Sequence, residues 1–175
     1  MPKTKPVPVG QLRSAETYSI SVGVTLRSRG DCILEAPPER ALVASPRHTF
    51  ADLALAIDDA FGRWELGRRR TFTLGDGTRV GDVVDGGRDG VVLDYRRIRL
   101  QRLQGGERFH YSVDDGERWT HECLLIGAID PGEVVPDHPG HPVVYESVGR
   151  VPVRGRTSGT DRAPSDARLG LSERS

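Results

Sequence analysis

Lysine is almost missing from this chain of 175 residues: Lys3 and Lys5 are the only two, and the remainder of its 25 basic residues are arginine. Arginine favours planar, two-pronged partners more than lysine does, but a preference spread over the whole chain reflects GC-rich coding rather than a binding role. Net charge is missing as well. The 25 basic residues balance 25 acidic ones, which removes the whole-molecule attraction for phosphate backbones on which basic nucleic-acid binders rely. Cysteine is scarce: Cys32 and Cys123 stand far apart with no Cys-x-x-Cys, so neither a zinc knuckle nor a disulfide framework is implied, and both are expected reduced and half-buried. No run approaches the roughly 18–20 apolar residues that span a bilayer, and "MPKTKPVPVG" lacks the apolar stretch that export requires. The expectation is a cytoplasmic protein without a membrane partner. Hydrophobic residues amount to only 36% while Gly 21 and Pro 12 are plentiful, so the ordered part should be shorter than the chain.

What is present reads as one domain with loose ends. Residues 1–15 are a Pro-, Lys- and Ser-bearing leader without periodicity, 16–146 carry the domain, and 147–175 form a Ser/Thr/Arg/Gly tail expected to be disordered. "YSISVGVTLR" alternates, with Tyr18, Ile20, Val22, Val24 and Leu26 on one face, as a half-buried antiparallel strand does. "ERALVAS" should return beside it. In "HTFADLALAIDDAFG" the period changes: Thr49 with Asp52 forms a capping box, Phe50, Leu53, Ala54, Ile57, Ala60 and Phe61 fall at helical spacing, and Gly62 is the stop. Asp58 and Asp59 are expected on the solvated face. "TFTLGDGTRV" reads as a hairpin around Gly75-Asp76-Gly77, "GDVVDGGRDG" as a loop or poor edge strand, "RRIRLQRL" as a strand with Ile98 and Leu100 inward, and "RFHYSV" with "RWTHECLLIGAI" as the last hairpin. This order predicts an α+β domain with one principal helix packed on a mixed or antiparallel sheet, β-grasp-like.

The stretch "VDDGERWTHECLL" admits two hairpin registers with different chemistry, because a one-residue slip exchanges the faces of a strand. A two-residue turn at Asp115-Gly116 sets His110 opposite His121, with Asp114 and Glu117 on the same face, and that face resembles a metal site. A three-residue loop ending in Gly116 at a left-handed position sets Phe109 opposite His121 and Tyr111 opposite Trp119. The second register gathers Phe109, Tyr111, Val113, Trp119, Cys123 and Leu125, and each large side chain buried is worth roughly 1.5–3 kcal/mol. It is therefore preferred, and His121 becomes a core-edge histidine whose ring nitrogens need partners. A mononuclear metal held by His110, His121 and Asp114 is the alternative.

The aromatic-x-Tyr pair, Asp114, Gly116, Glu117, Trp119 and His121 together resemble the signature of the plasmid pRiA4b ORF-3-like family, also met as passenger proteins of insertion sequences. Asp114, Gly116, Trp119 and His121 match that signature, Glu117 stands conservatively for Asp, and Asp115 replaces a Phe. "HTFADLALAIDDAFGRW" is similar to the family's helix ending in Gly and Trp, with Phe72 eight residues past Trp64. The resemblance runs from about Tyr18 to Tyr145 and implies a compact α+β fold with no established activity. Where the family carries histidines, this chain has Ala54, Arg68 and Arg69, which implies that a site built from several histidines is largely dismantled. The family's Trp- and Gly-containing C-terminal segment is absent.

Arg68, Arg69 and Arg70, with Arg96, Arg97, Arg99 and Arg102, are candidate phosphate contacts if their strands neighbour one another; a solvated sheet face is the competing reading, favoured by zero net charge. The Gly-rich loops lack the Gly-Lys-Ser/Thr ending of a phosphate loop, and His138 and His141 lie in a Pro/Gly loop. The leading expectation is a small, non-catalytic binding or interaction domain without a cofactor, a protein partner being favoured. The alternatives are a metal-dependent hydrolase or nuclease using the histidines and acids at 110–121, and a nucleic-acid-binding protein of a mobile element.

Overall fold

The computed structural model describes residues 18–63, 69–83, 92–114, 116–129 and 140–152. The leader, Arg68, Asp115, His138, most of "GDVVDGGRDG" and the chain beyond 152 lie outside them. In chain order the elements are β1 (Ser19–Arg29), β2 (Cys32–Ile33), β3 (Glu39–Ala44), α1 (Phe50–Ala60), β4 (Arg69–Thr73), β5 (Arg79–Gly81), β6 (Val92–Asp94), a 3-10 turn (Leu100–Arg102), β7 (Arg108–Asp114), β8 (Arg118–Ile129) and β9 (Val143–Val148). The strands form a mixed sheet in the order β6-β5-β4-β7-β8-β1-β3-β9, with β2 paired to β1. The parallel pair β5–β6 lies at one edge, and the other pairings are antiparallel. The architecture is α+β and dominated by its sheet.

Alternation in β1 does what its pattern dictates. Ile20, Val22, Val24 and Leu26 are fully shielded and meet Leu42 and Ala44 of β3 and Leu125 and Cys123 of β8 on one face. The helix covers that face. Its start is closed by the capping box: Asp52 N–H donates to Thr49 Oγ1 at 3.2 Å and Thr49 N–H donates to Asp52 Oδ2 at 2.7 Å. Phe50, Leu53, Ala54 and Ile57 then point into the sheet, where Phe50 meets Phe72 edge-on at 5.0 Å and Phe109 at 6.4 Å. Gly62, at φ +68°, turns the chain away after Phe61, a conformation that costs glycine nothing.

Three expectations are corrected. Residues 95–99 are not a strand: turn hydrogen bonds from Arg97 and Ile98 N–H to the Asp94 carbonyl reverse the chain, and Leu100 enters a 3-10 turn. Ile98 and Leu100 still face inward, as their spacing predicts, on a turn instead of a strand. The segment past Pro142 is a strand rather than loop, since β9 pairs antiparallel with β3 and runs to Val148, beyond the expected boundary at 146. Asp58 is buried, 3% exposed, while Asp59 is exposed as expected. Position 58 is four residues past Ala54 and three before Phe61, so it shares their inward face.

Candidate functional site

The hairpin of β7 and β8 carries the signature residues. Tyr111 lies opposite His121, Phe109 opposite Cys123 and Val113 opposite Trp119, with Asp114 opposite Arg118. The expected pairs, Phe109 with His121 and Tyr111 with Trp119, are thus displaced by two residues, because the last pair of the hairpin is Asp114 with Arg118 instead of Val113 with Glu117. A two-residue shift preserves the faces. Phe109, Tyr111, Val113, Cys123 and Leu125 are completely buried and Trp119 nearly so, as the core register requires. Gly116 has φ +93°, and its N–H donates to Asp114 Oδ1 at 3.2 Å.

The proposed metal set does not assemble. His121 faces the core, whereas His110 is exposed on the opposite face between Thr73 and Glu122, and Asp114 is exposed at the hairpin end. Among the described residues no three His, Cys, Asp or Glu side chains cluster at ligand distance.

Instead the inner face holds a chain of buried polar groups. Asp58 Oδ1 accepts from the Tyr111 hydroxyl at 2.9 Å and Asp58 Oδ2 accepts from Arg70 Nε at 2.8 Å. His121 Nδ1 contacts the Tyr111 carbonyl at 3.1 Å, and its Nε2 contacts a guanidinium N–H of Arg63. A carbonyl only accepts and a guanidinium only donates, so Nδ1 carries the proton and Nε2 offers the lone pair. Burial, reinforced by the Arg63 charge, holds the His121 pKa well below its ordinary 6.5. The ring is neutral, and both nitrogens are spent. Burial, with the Asp58 carboxylate beside it, pushes the Tyr111 phenol well above its ordinary value, and burial likewise raises the Cys123 thiol. Cys32 is exposed, so neither cysteine is the half-buried residue expected.

Trp119 carries two cations against its ring. Its ring lies 5.0 Å from the Arg29 guanidinium and 4.6 Å from that of Arg63, and Arg29 is held there by Glu117 Oε2, which accepts from Arg29 Nε at 2.7 Å. The five signature residues therefore share structural tasks: Asp114 and Gly116 shape the turn, Glu117 anchors Arg29, and Trp119 and His121 both pack on Arg63. Arg29 and Arg63 were not foreseen. Nothing in the pattern around Gly62-Arg63 signals a buried cation, because the chain reversal that brings it inward is tertiary.

The arginine runs are separated too. Arg70 is 13% exposed at its side chain and committed to Asp58, while Arg69 is exposed opposite Asp114. Arg97 and Arg99 are exposed on a turn that follows β6, and β5 stands between β6 and β4. Arg96 contacts Asp82, and Arg102 donates to Thr78 near Asp76. On the outer sheet face Glu122 bridges Arg27, at 3.0 Å, and Arg108; the Arg27 hydrogen bond leads in holding its carboxyl below the usual range. His141 is exposed.

No family model and no curated protein matches this chain. Its fold is similar to that in the crystal structure of a protein of unknown function from Methanosarcina mazei Go1, with a TM-score of 0.59 at 14% identity over 77% of this chain and 71% of that one. At that identity the likeness concerns the fold alone.

Proposed function

We propose that this protein is a non-catalytic binding domain of the plasmid pRiA4b ORF-3-like type, acting in the cytoplasm on a protein partner. One observation carries the reading: the groups suited to acid–base or metal chemistry on the inner face, His121, Tyr111 and Asp58, are buried and joined by hydrogen bonds through Tyr111. A catalytic base must reach its substrate within hydrogen-bond distance, and a ligating imidazole needs a free nitrogen. Neither condition is met at His121. The β-grasp-like arrangement belongs to the same reading, supported by one capped helix laid across a mixed sheet.

Binding then falls to the outer face, where Ile126 is 55% exposed beside a groove floored by Gly23 and Ala41. The test compares partner capture by the wild-type chain and by Ile126→Glu, with elemental analysis of the same preparations. The expected result is a specific protein partner lost in Ile126→Glu at unchanged helix and sheet content, and no stoichiometric transition metal. Stoichiometric metal that is lost in His110→Ala, with a metal-dependent hydrolysis lost alongside it, would overturn the reading.

A further inference from the structure

The groove beside Ile126 on the outer face has a floor almost without side chains and a rim of uncompensated charge. Gly23 of β1 and Ala41 of β3 form the floor, Ile126 stands on the β8 side, Glu146 and Val148 stand on the β9 side, and Glu39 lies toward one end. A Cβ at Gly23 would already touch Ile126 Cδ1 at 3.5 Å, so the floor is narrow as well as bare. The space is about 180 Å³. Metabolite and cofactor sites run roughly 300–1,000 Å³, so this groove is sized for one side chain of a larger partner.

Its charge has one sign. Ala41 pairs with Glu146 and Glu39 with Val148, so the two glutamates stand diagonally on neighbouring strands, a separation of roughly 7–8 Å. Both are exposed, and among the described residues neither carboxylate makes an ion pair or a hydrogen bond. Elsewhere Glu117, Glu122, Asp82 and Asp94 are all engaged by arginines. Arg40 also borders the groove, but its guanidinium lies over Phe61 on the inner side, and its N–H groups donate to the carbonyls of Ala60, Glu39 and Val148.

We infer that the groove takes a single arginine or lysine side chain presented by a protein partner. The methylene stem lies over Gly23 and Ala41 against Ile126, as long cationic side chains lie along apolar surface, and the charged head reaches Glu39 and Glu146 together. Size and charge are then both met. A leucine would fill the same space and leave two carboxylates facing it, and an acidic side chain would be repelled by them. The inference rests on the protein-binding function proposed above and adds to it the chemistry of the partner's anchor.

The probes are short Ser/Thr peptides that differ only in one central residue, arginine, lysine, leucine or glutamate. Each is titrated to about 10 mM into the isotope-labelled full chain and followed by amide NMR shifts, since one anchoring side chain is expected to give a Kd on the order of 1 mM. The arginine and lysine peptides should shift the amides of Gly23, Thr25, Ala41 and Ile126 saturably, and less so as salt is added. The leucine and glutamate peptides should leave them unmoved. Glu39→Gln and Glu146→Gln, which keep shape and remove charge, should each weaken arginine-peptide binding about threefold or more, and together remove it. Gly23→Val fills the floor and should remove binding with both acids in place, while near-ultraviolet circular dichroism shows the variants folded. Silence toward both basic peptides, an equal response to leucine, or a response that survives both glutamine changes overturns the inference. A partner lost in Ile126→Glu beside silent basic peptides overturns this inference alone; capture unchanged in Ile126→Glu overturns the partner reading and this inference with it.

Discussion

At the scale of single residues, Trp119 and His121 make separable predictions. The indole is nearly buried, with the Arg29 and Arg63 guanidinium groups against its ring, so Trp119→Ala should cost about 3–5 kcal/mol, as large core truncations do, read from the urea midpoint. Its Nε1 is buried with no hydrogen-bond partner, so Trp119→Phe forfeits no hydrogen bond and should cost clearly less than the alanine variant. An alanine variant as stable as the wild type would remove Trp119 from the core. For His121 the sign follows from its depressed pKa. Above about pH 6.5 folded and unfolded chains both carry the neutral ring, and the full stability is present. As pH falls below that value the unfolded chain takes up a proton that the folded one refuses, so stability drops by at most about 1.4 kcal/mol per pH unit until the folded pKa is reached. Urea midpoints at pH 7.5 and 5.5 should fall more steeply for the wild type than for His121→Gln; equal slopes would show that the ring is not held neutral.

Single elements were legible to the extent that local chemistry specifies them. The capping box at Thr49, the alternation of β1 and the faces of β7 and β8 follow from periods of 3.6 and 2.0 and from burial. The exact pairing of β7 with β8 did not, because a last pair of Val113 with Glu117 or of Asp114 with Arg118 buries the same side chains and only the backbone distinguishes them. Asp58 shows a further limit. Its helical position was visible, but its polarity argued for solvent, and only the approach of Arg70 and Tyr111 from β4 and β7 makes its burial affordable. The helix therefore has a half-buried closure at its start and an interior one of very different strength. Thr49→Ala should cost about 1 kcal/mol. Asp58→Ala strands a half-buried guanidinium and a buried hydroxyl, and should cost about 3 kcal/mol. Thermal or urea denaturation of the two variants checks the order, and equal costs would mean that the Asp58 contacts contribute nothing beyond a surface pair.

For the whole molecule, the central position of β1 between β8 and β3, and of β9 at the far edge, was beyond reach of a residue-by-residue reading, because strand order is a property of long-range pairing. "VVYESV" was hidden by its Pro/Gly surroundings: Pro142 precedes it and Gly149 follows, and its alternation is broken by the irregularity opposite Ala41 and Leu42. Charge, by contrast, was legible as a total and misleading as a pattern. The arginine runs looked like a patch along the chain, yet in space Arg70 faces Asp58, Arg96 faces Asp82, and Arg27 and Arg108 share Glu122. A phosphate backbone gains affinity by releasing counterions in proportion to the cations that neutralise it, and arginines already committed to carboxylates release few. At zero net charge there is no long-range field to compensate. Duplex DNA and single-stranded RNA should accordingly give no gel shift at about 50 mM salt, the condition most favourable to phosphate contacts. A shift that falls steeply with added salt and is lost in Arg69→Ala would show that the exposed residue of the run at β4 binds phosphate after all, and would move the site from the outer apolar groove to the β4 end of the sheet.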